Sequence, residues 1–193
     1  MAHITVADTN TRIDSPAGIA QFLAQFGIQY ERWDVQERID SDAPPADILA
    51  GLAGELERLK RQGGYVTADV IQVNPDTPGL DAMLAKFSEE HTHSEDEVRF
   101  ILKGRGIFHI RPDNHPVFAL ELGAGDLINV PAGTKHWFNL CTDRTIRAIR
   151  LFQDPSGWTP HYTRSNAHAG YEPVCWGPNY LPEGPVLKPV DPL

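Results

Sequence analysis

The sequence predicts a mainly β fold, an antiparallel sandwich or barrel, with the helices of an N-terminal part packed outside it. Two observations support this prediction. Between residues 98 and 152, short apolar runs alternate with turns rich in glycine and proline, a pattern typical of such folds. Before this region, apolar residues recur at the spacing of helix faces. The chain has 193 residues, a length that suits one domain spanning 1–193.

The helical N-terminal part is predicted to span about residues 15–88. Ser15 and Pro16 provide an N-cap and a first helical residue, and Gly27 ends this first helix. A pair of prolines at 44–45 breaks the chain before the second helix. The other elements predicted in this part are a strand at residues 28–33, a helix at 46–60, a β-rich run at 65–73 and a short helix at 80–87.

The barrel core is predicted to span about residues 65–153, with turns at 103–106 and 124–126 between its strands. Residues 154–193 are rich in proline, glycine and aromatic residues, and we expect an irregular tail that packs over the barrel. Its last part, 182–193, is expected to be a loose end. The predicted strands are residues 98–103, 106–111, 117–122, 126–130, 136–140 and 145–152.

Composition excludes several classes of partner. There are 26 acidic against 17 basic side chains, a net charge of −9, and no local cluster of Lys and Arg. Such a surface repels nucleic acid and anionic membranes. Residues 1–14 lack the apolar segment of a signal peptide, and no run of 18 apolar residues could span a membrane. We therefore expect a soluble cytoplasmic protein that binds neither nucleic acid nor membrane, and a monomer.

The two cysteines, Cys141 and Cys175, are too few for a disulfide framework. Two reduced thiols are the favoured interpretation, and one bridge stays open as the alternative. A chain of this length can bury enough surface to fold without a disulfide or a structural metal. A metal in this protein would therefore serve function.

The candidate metal ligands are His91, His93, Glu97 and His136. In a strand, alternate side chains share a face, so His91 and His93 project together. Glu97 has the same parity, and a tight bend at 94–96 could direct it to the same point. His136 follows a predicted strand and a turn at 131–133, and can close the site from the next strand.

Each segment alone has an ordinary explanation. An H-x-H pair in a loop is often solvated, and one histidine after a turn is often a surface residue. Both segments together, separated by a β-rich stretch, are hard to obtain by chance. Three imidazoles and one carboxylate suit a borderline divalent metal such as Fe, Ni, Co or Mn, so the sequence predicts a metal site.

The two segments resemble the two motifs of the cupin family, with His91, His93 and Glu97 in the first and His136 in the second. That resemblance implies a cupin double-stranded β-helix, a jelly-roll barrel with the metal inside it. The words around the ligands are more specific. Residues 91–100, His-Thr-His-Ser-Glu-Asp-Glu-Val-Arg-Phe, resemble the signature of the acireductone dioxygenases. The same family resemblance extends to residues 30–33, 147–152 and 155–158.

The acireductone dioxygenase resemblance implies one Fe²⁺ or Ni²⁺ per chain and two small-molecule substrates. These are O₂ and the acireductone 1,2-dihydroxy-3-keto-5-methylthiopentene of methionine salvage. In that family the iron form gives 2-keto-4-methylthiobutyrate and formate. The nickel form gives methylthiopropionate, formate and CO. Sequence alone leaves the metal, and hence the products, open.

Four further residues are candidates for the reaction. Arg99 lies two residues beyond Glu97 and shares its face in a strand; buried there, it needs an anion, which the substrate could provide. A pair with a neighbouring acid is the alternative. Arg150 interrupts an apolar face, and the resemblance implies a substrate contact, with an internal salt bridge as the alternative. Glu90 and Asp96 flank the ligands; the resemblance implies roles in metal loading and conformational relay, and orientation of the imidazoles is the physical interpretation.

Two other functions fit parts of the pattern. A different cupin enzyme, such as another dioxygenase or a metal-dependent isomerase, would share the ligand set, but residues 97–100 and Arg150 favour the acireductone family. A binding module without catalysis would be a sensor or a storage protein. A sensor usually carries a basic DNA-reading segment, and storage cupins often lose ligands, whereas all four ligands are present here.

Overall fold

The computed structural model describes residues 2–7, 9, 11–35, 37–154 and 159–176, referred to below as the described residues. They form helices α1 to α4 and strands β1 to β11. The helices are α1 (Pro16–Ala24), α2 (Pro45–Gly51), α3 (Ala53–Gly63) and α4 (Leu80–Ser88), with a 3₁₀ turn at Ala167–Gly170. The strands are β1 (His3–Val6), β2 (Thr11–Ile13), β3 (Gln29–Arg32), β4 (Thr67–Val73), β5 (His91–Thr92), β6 (Glu97–Ile110), β7 (Phe118–Gly123), β8 (Asp126–Val130), β9 (His136–Leu140), β10 (Ile146–Phe152) and β11 (His161–Tyr162).

The strands form two antiparallel sheets that share β6. One sheet has the order β2-β1-β7-β6-β9-β5-β11, and the other has the order β4-β10-β6-β8-β3. Among the described residues, hydrogen bonds do not close these strands into a complete ring. The prediction of a mainly β, double-sheet fold is confirmed.

Strand β6 is one continuous element of 14 residues, so the prediction of two strands separated by a turn at 103–106 was wrong. Its first half pairs with β8 and β10, and its second half pairs with β7 and β9. The change of sheet occurs at Gly104, whose φ is +76°. Glycine adopts this conformation without steric cost, so the chain bends there and continues as a strand.

Apolar side chains form two clusters, one on each side of the second sheet. The cluster between the sheets includes Ile101, Phe108 and Ile128. The outer cluster joins α2 and α3 to the back of the sheet, where Ile48 and Leu56 pack with residues such as Phe100, Leu127 and Ile149. The helices therefore lie outside the sheets, and the face of β6 opposite them is directed into the space between the sheets.

Two elements of the N-terminal part differ from the prediction. The helix predicted at 46–60 is broken at Leu52, which leaves helical geometry (φ −111°, ψ 15°) and is fully buried. Gly51 allows the close approach of Ile39 to this helix, because a Cβ atom at residue 51 would lie 2.4 Å from Ile39 Cδ1. The strands β1 and β2 were not predicted. His3 is buried in β1 beside Glu121.

The described part of the tail, residues 159–176, is called the strap below. It adds β11 to the edge of β5 and then runs past β9 to Cys175. Cys175 forms a disulfide with Cys141, so the expectation of two thiols was wrong. The strap brings the two Cα atoms to 5.7 Å, a distance that a disulfide spans, whereas a separation of 34 residues carries no such signal. The motif at 155–158 and the loose end at 182–193 lie outside the described residues.

Within the described residues, no helix combines the length and apolar character needed to cross a membrane.

Candidate metal centre

The four predicted ligands come together at one end of the sheets. His91 lies on β5 directly opposite His136, the first residue of β9. His93 follows β5, and its carbonyl accepts a hydrogen bond of 2.9 Å from Gly133 N in the turn before β9. After the bend at 94–96, Glu97 begins β6. The two sequence segments are thus joined by backbone contacts that hold the three imidazoles and the carboxylate together.

The donor atoms of these four residues all lie within 4.8 Å of one another. Glu97 Oε2 is 3.1 Å from His93 Nε2 and 3.1 Å from His136 Nε2. All four residues are at most 4% exposed. A buried group of three imidazoles and one carboxylate, converging to ligand-to-ligand spacing, is the arrangement that a divalent metal requires.

The Nδ1 atom of each imidazole lies within hydrogen-bond distance of a backbone carbonyl oxygen. The contacts are His91 Nδ1 to Glu89 O at 2.7 Å, His93 Nδ1 to Thr159 O at 3.0 Å and His136 Nδ1 to Thr134 O at 2.8 Å. A carbonyl can only accept, so Nδ1 must carry the proton in all three rings. The lone pair then resides on Nε2, which is the atom directed at the cluster. This is the arrangement expected of ligating histidines.

The electrostatics of the cluster favour a neutral imidazole beside an ionised carboxylate. Burial raises the pKa of Glu97, but the adjacent positive charge of Arg99 outweighs burial, and the pKa lies well below its usual range. Burial, together with the neighbouring His136, lowers the pKa of His91 to about 4. Metals bind deprotonated ligands, and these shifts keep both groups in that form at neutral pH.

The residues therefore fit a metal ion. His91 Nε2 is buried and has no hydrogen-bond partner among the described residues, although an orphaned buried nitrogen is costly. A metal at the centre of the cluster would satisfy it. The absence of thiolates distinguishes the set from most structural zinc sites.

Arg99 and Arg150 lie side by side, since they are register partners in β6 and β10. Arg99 is buried, and its Nε donates to Glu97 Oε1 at 2.5 Å. Its guanidinium lies 5.1 Å from the Phe138 ring centroid. Arg150 is more exposed and makes a two-point ion pair with Asp69, with contacts of 2.9 and 2.6 Å. The structure thus places Arg99 against the ligand cluster and gives Arg150 an acidic partner.

Asp96 and Glu90 accept hydrogen bonds from groups other than the four donors. Asp96 accepts from Tyr65 Oη at 3.0 Å and from Ala132 N at 3.0 Å, so it links the bend at 94–96 to the turn before β9. Glu90 is fully buried and accepts from Arg111, Thr163 and Ser165. Burial opposes ionisation, but these hydrogen bonds, that of Arg111 first, lower the pKa of Glu90 to about 2. The catalytic roles of Asp96 and Glu90 stay predictions.

Several residues that surround the site were not found from the sequence. Their contacts run between distant parts of the chain, and nothing in their local sequence marks them. The one available signal was the position of the tail after the last strand, which suggested that it packs over the barrel. The residues are Tyr65, Arg111, Thr159, Thr163 and Ser165.

Known proteins are similar to this chain in sequence. The model of the ARD/ARD' family matches residues 10–160. An acireductone dioxygenase of Picosynechococcus sp. is 40% identical over 174 residues, which are 90% of this chain and 99% of that protein. One of Stutzerimonas stutzeri is 45% identical over 145 residues, 75% of this chain and 80% of that protein.

A solved structure agrees with the sequence comparisons. An acireductone dioxygenase from Bacillus anthracis, which has a cadmium ion in its active centre, superposes with a TM-score of 0.78. It is 38% identical in sequence, and the match covers 84% of this chain and 98% of that chain. Since the family model spans most of the chain and the relatives match it over 80 to 99% of their own length, this chain belongs to the ARD/ARD' family, and its relatives are acireductone dioxygenases.

Proposed function

We propose that this chain is an acireductone dioxygenase that holds one Fe²⁺ or Ni²⁺ ion on His91, His93, Glu97 and His136. Its substrates are O₂ and 1,2-dihydroxy-3-keto-5-methylthiopentene, an intermediate of methionine salvage. The observation that carries the proposal is the buried cluster of three Nε2 atoms and one carboxylate within 4.8 Å. Family membership supplies the substrate. We further propose that the chain acts as a cytoplasmic monomer.

A divalent metal held by these four residues would supply Lewis-acid chemistry. The protein's contribution is to prepare the donors before any ligand arrives. The three backbone carbonyls fix the imidazole tautomers, and Glu97 stays ionised. Burial of the cluster excludes bulk water, which strengthens charge interactions with a bound anion.

Arg99 is the group that we propose offsets the negative charge of the enediolate. Its guanidinium carries a fixed positive charge next to the ligand cluster, and the Phe138 and Phe108 rings lie 5.1 and 5.8 Å from its central carbon. Aromatic faces on an arginine hold the guanidinium plane in place and reduce its contact with water. A positioned cation of this kind stabilises a developing oxyanion more than a mobile one does.

The other three candidates have different proposed roles. Arg150 lies beside Arg99 but shares its charge with Asp69, so we propose that it contributes to the field at the site more than to a direct contact. Asp96 and Glu90 act through the backbone segments that they bind. They are positioning residues in this proposal.

The products follow from the metal. By analogy with the family, iron directs the reaction to 2-keto-4-methylthiobutyrate and formate. Nickel directs it to methylthiopropionate, formate and CO. The decisive experiment reconstitutes the metal-free protein with each metal, adds the acireductone and follows O₂ uptake and product composition. Uptake with either metal is expected, and no uptake with both would overturn the assignment.

Variants separate metal binding from turnover. His93→Ala removes one of the four donors, and we expect purified protein to retain no metal, as measured by elemental analysis. Arg99→Ala should retain metal at the wild-type stoichiometry but lose about 100-fold or more in kcat/KM, because an oxyanion-stabilising group is worth about that much. Full metal occupancy in His93→Ala would show that the ligand set is wrong. Unchanged turnover in Arg99→Ala would remove Arg99 from the mechanism.

A further inference from the structure

The three histidines of the site differ in how their tautomers are held. His91 and His136 each contact the carbonyl of a residue only two positions earlier in the chain. His93 instead contacts Thr159 O, 66 positions away and in the strap. The orientation of two rings is thus set by their own strands. The orientation of the third ring depends on a distant segment.

Thr159 is exposed, so contacts made by the following residues of the strap help to hold its carbonyl in place. The nearest anchors are the two residues of β11, which pair with β5. Two paired residues are a small contact for a sheet edge, because isolated two-stranded pairings are marginal in water. Further anchors must carry the strap.

Glu90 provides several of these anchors, since its main chain and its carboxylate both bind the strap. Its carbonyl accepts from Thr163 N at 3.1 Å, and its N–H donates to His168 Nδ1 at 3.4 Å. Its carboxylate accepts from the hydroxyls of Thr163 and Ser165, the latter at 2.7 Å, and Arg111 binds the same carboxylate from the barrel side. Glu90 thus joins the strap to the barrel one residue before His91.

We propose that Thr163 and Ser165 are positioning residues which, through Glu90, hold the Thr159 carbonyl on His93 Nδ1 and so set how firmly the site retains its metal. This inference rests on the proposed metal site and deepens it. We call the contacts of the Thr163 and Ser165 hydroxyls with Glu90 the clamp. Loss of the clamp frees the His93 ring to rotate and to place its proton on Nε2. A protonated Nε2 cannot bind a metal.

The test compares metal loss from loaded protein into excess chelator. The double variant Thr163→Val/Ser165→Ala keeps side-chain size but removes both hydroxyls. We expect it to release metal about 10-fold faster than the wild type, the lower end of what loss of an outer hydrogen bond costs a metal site. The single variant Thr163→Ser keeps a hydroxyl at this position, and its rate of metal release should stay within about twofold of the wild-type rate. Thr145→Val is the matched control, because its hydroxyl donates to the backbone carbonyl of Asp143 and not to Glu90.

The visible spectrum of the cobalt-loaded protein gives a second readout. If His93 is reoriented, the d–d bands of the double variant should differ from those of the wild type and of Thr145→Val. A merely structural role would lower thermal stability and leave these bands unchanged at temperatures where the protein is folded. If the double variant does not fold by circular dichroism, Thr163→Val alone is compared in the same way.

Two outcomes overturn the proposal and are distinct from each other. Wild-type protein that retains no metal would overturn the proposed function and this inference with it. Wild-type protein that retains metal, together with a folded clamp variant that releases it within twofold of the wild-type rate and has the same cobalt spectrum, would overturn only this inference.

Discussion

At the scale of single residues, the site depends on hydrogen bonds that the alternation of side chains along a strand does not predict. The alternation of side chains in a strand explains why His91 and His93 share a face. It does not explain why their Nε2 atoms point inward, which depends on the carbonyls of Glu89 and Thr159. A carbonyl two residues away is a local feature, whereas that of Thr159 depends on the path of the whole tail.

His109 illustrates the same point outside the site. It stacks on Trp137, with ring centroids 4.9 Å apart and planes at 7°. Its Nδ1 has no hydrogen-bond partner among the described residues. Burial lowers the pKa of His109 from 6.5 to about 4, so the ring is neutral in the folded protein at neutral pH.

This shift predicts a pH dependence of stability. Between pH 6.5 and 4 the unfolded chain binds a proton at His109 and the folded chain does not, so stability falls as the pH falls. From pH 7 to pH 5, the free energy of unfolding of the wild type should drop by about 2 kcal/mol more than that of His109→Phe. Urea titrations at the two pH values measure the difference. Equal drops in both proteins would show that His109 is not buried as described.

At the scale of elements, the shared strand β6 decides how the two sheets meet. Gly104 lies at the change of sheet, with φ at +76°. A Cβ atom there would lie 2.0 Å from Thr145 O, a backbone atom that has no freedom to move aside. The sequence marked this position as a turn because glycines at 104 and 106 are typical turn residues. Continuous pairing with β10 on one side and β9 on the other makes it a bend within a strand instead.

Gly104→Ala should therefore destabilise the protein by about 2 kcal/mol or more, since it combines left-handed strain with a backbone clash. Gly54→Ala is the matched control. Gly54 lies within α3, and a Cβ there meets nothing within 4 Å, so alanine should stabilise by about 0.5 to 1 kcal/mol. Urea midpoints of both variants against the wild type test the pair. A harmless Gly104→Ala would contradict the continuous strand.

At the scale of the whole molecule, the strap links the last strands to the metal site and to the opposite end of β9. Its first residue, Thr159, contacts His93. The strap then binds Glu90 through Ser165 and is bonded near its end by the Cys141–Cys175 disulfide. His136 and Cys141 lie at the start and just after the end of β9. The strap therefore spans the length of that strand, and its attachments restrain the chain at both ends.

The disulfide should contribute about 2 to 4 kcal/mol to the free energy of unfolding, because it closes a loop of 34 residues. The double variant Cys141→Ser/Cys175→Ser should have a correspondingly lower urea midpoint. A reductant should lower the midpoint of the wild type to about the same value and leave that of the double variant unchanged. Two titratable thiols in the untreated, folded wild type would contradict the bridge.

The sequence by itself determined the class of fold, the four candidate ligands and Arg99 beside them. Each of these depends on a local pattern: alternation within a strand, turn residues between strands, and donor residues at short spacing. The strands predicted between residues 117 and 152 agree with the structure for the same reason. Of these, β8 and β9 match their predicted bounds.

Only the tertiary structure decided the rest. The continuity of β6, the break at Leu52, the strands before residue 15 and the Cys141–Cys175 bridge depend on partners that are distant in sequence. So do the Arg150–Asp69 pair and the clamp on Glu90. Local propensity cannot encode such contacts, because their free energy arises only when the sheets and the strap have packed. The candidate ligands can therefore be identified in the sequence, and the contacts that hold them in place cannot.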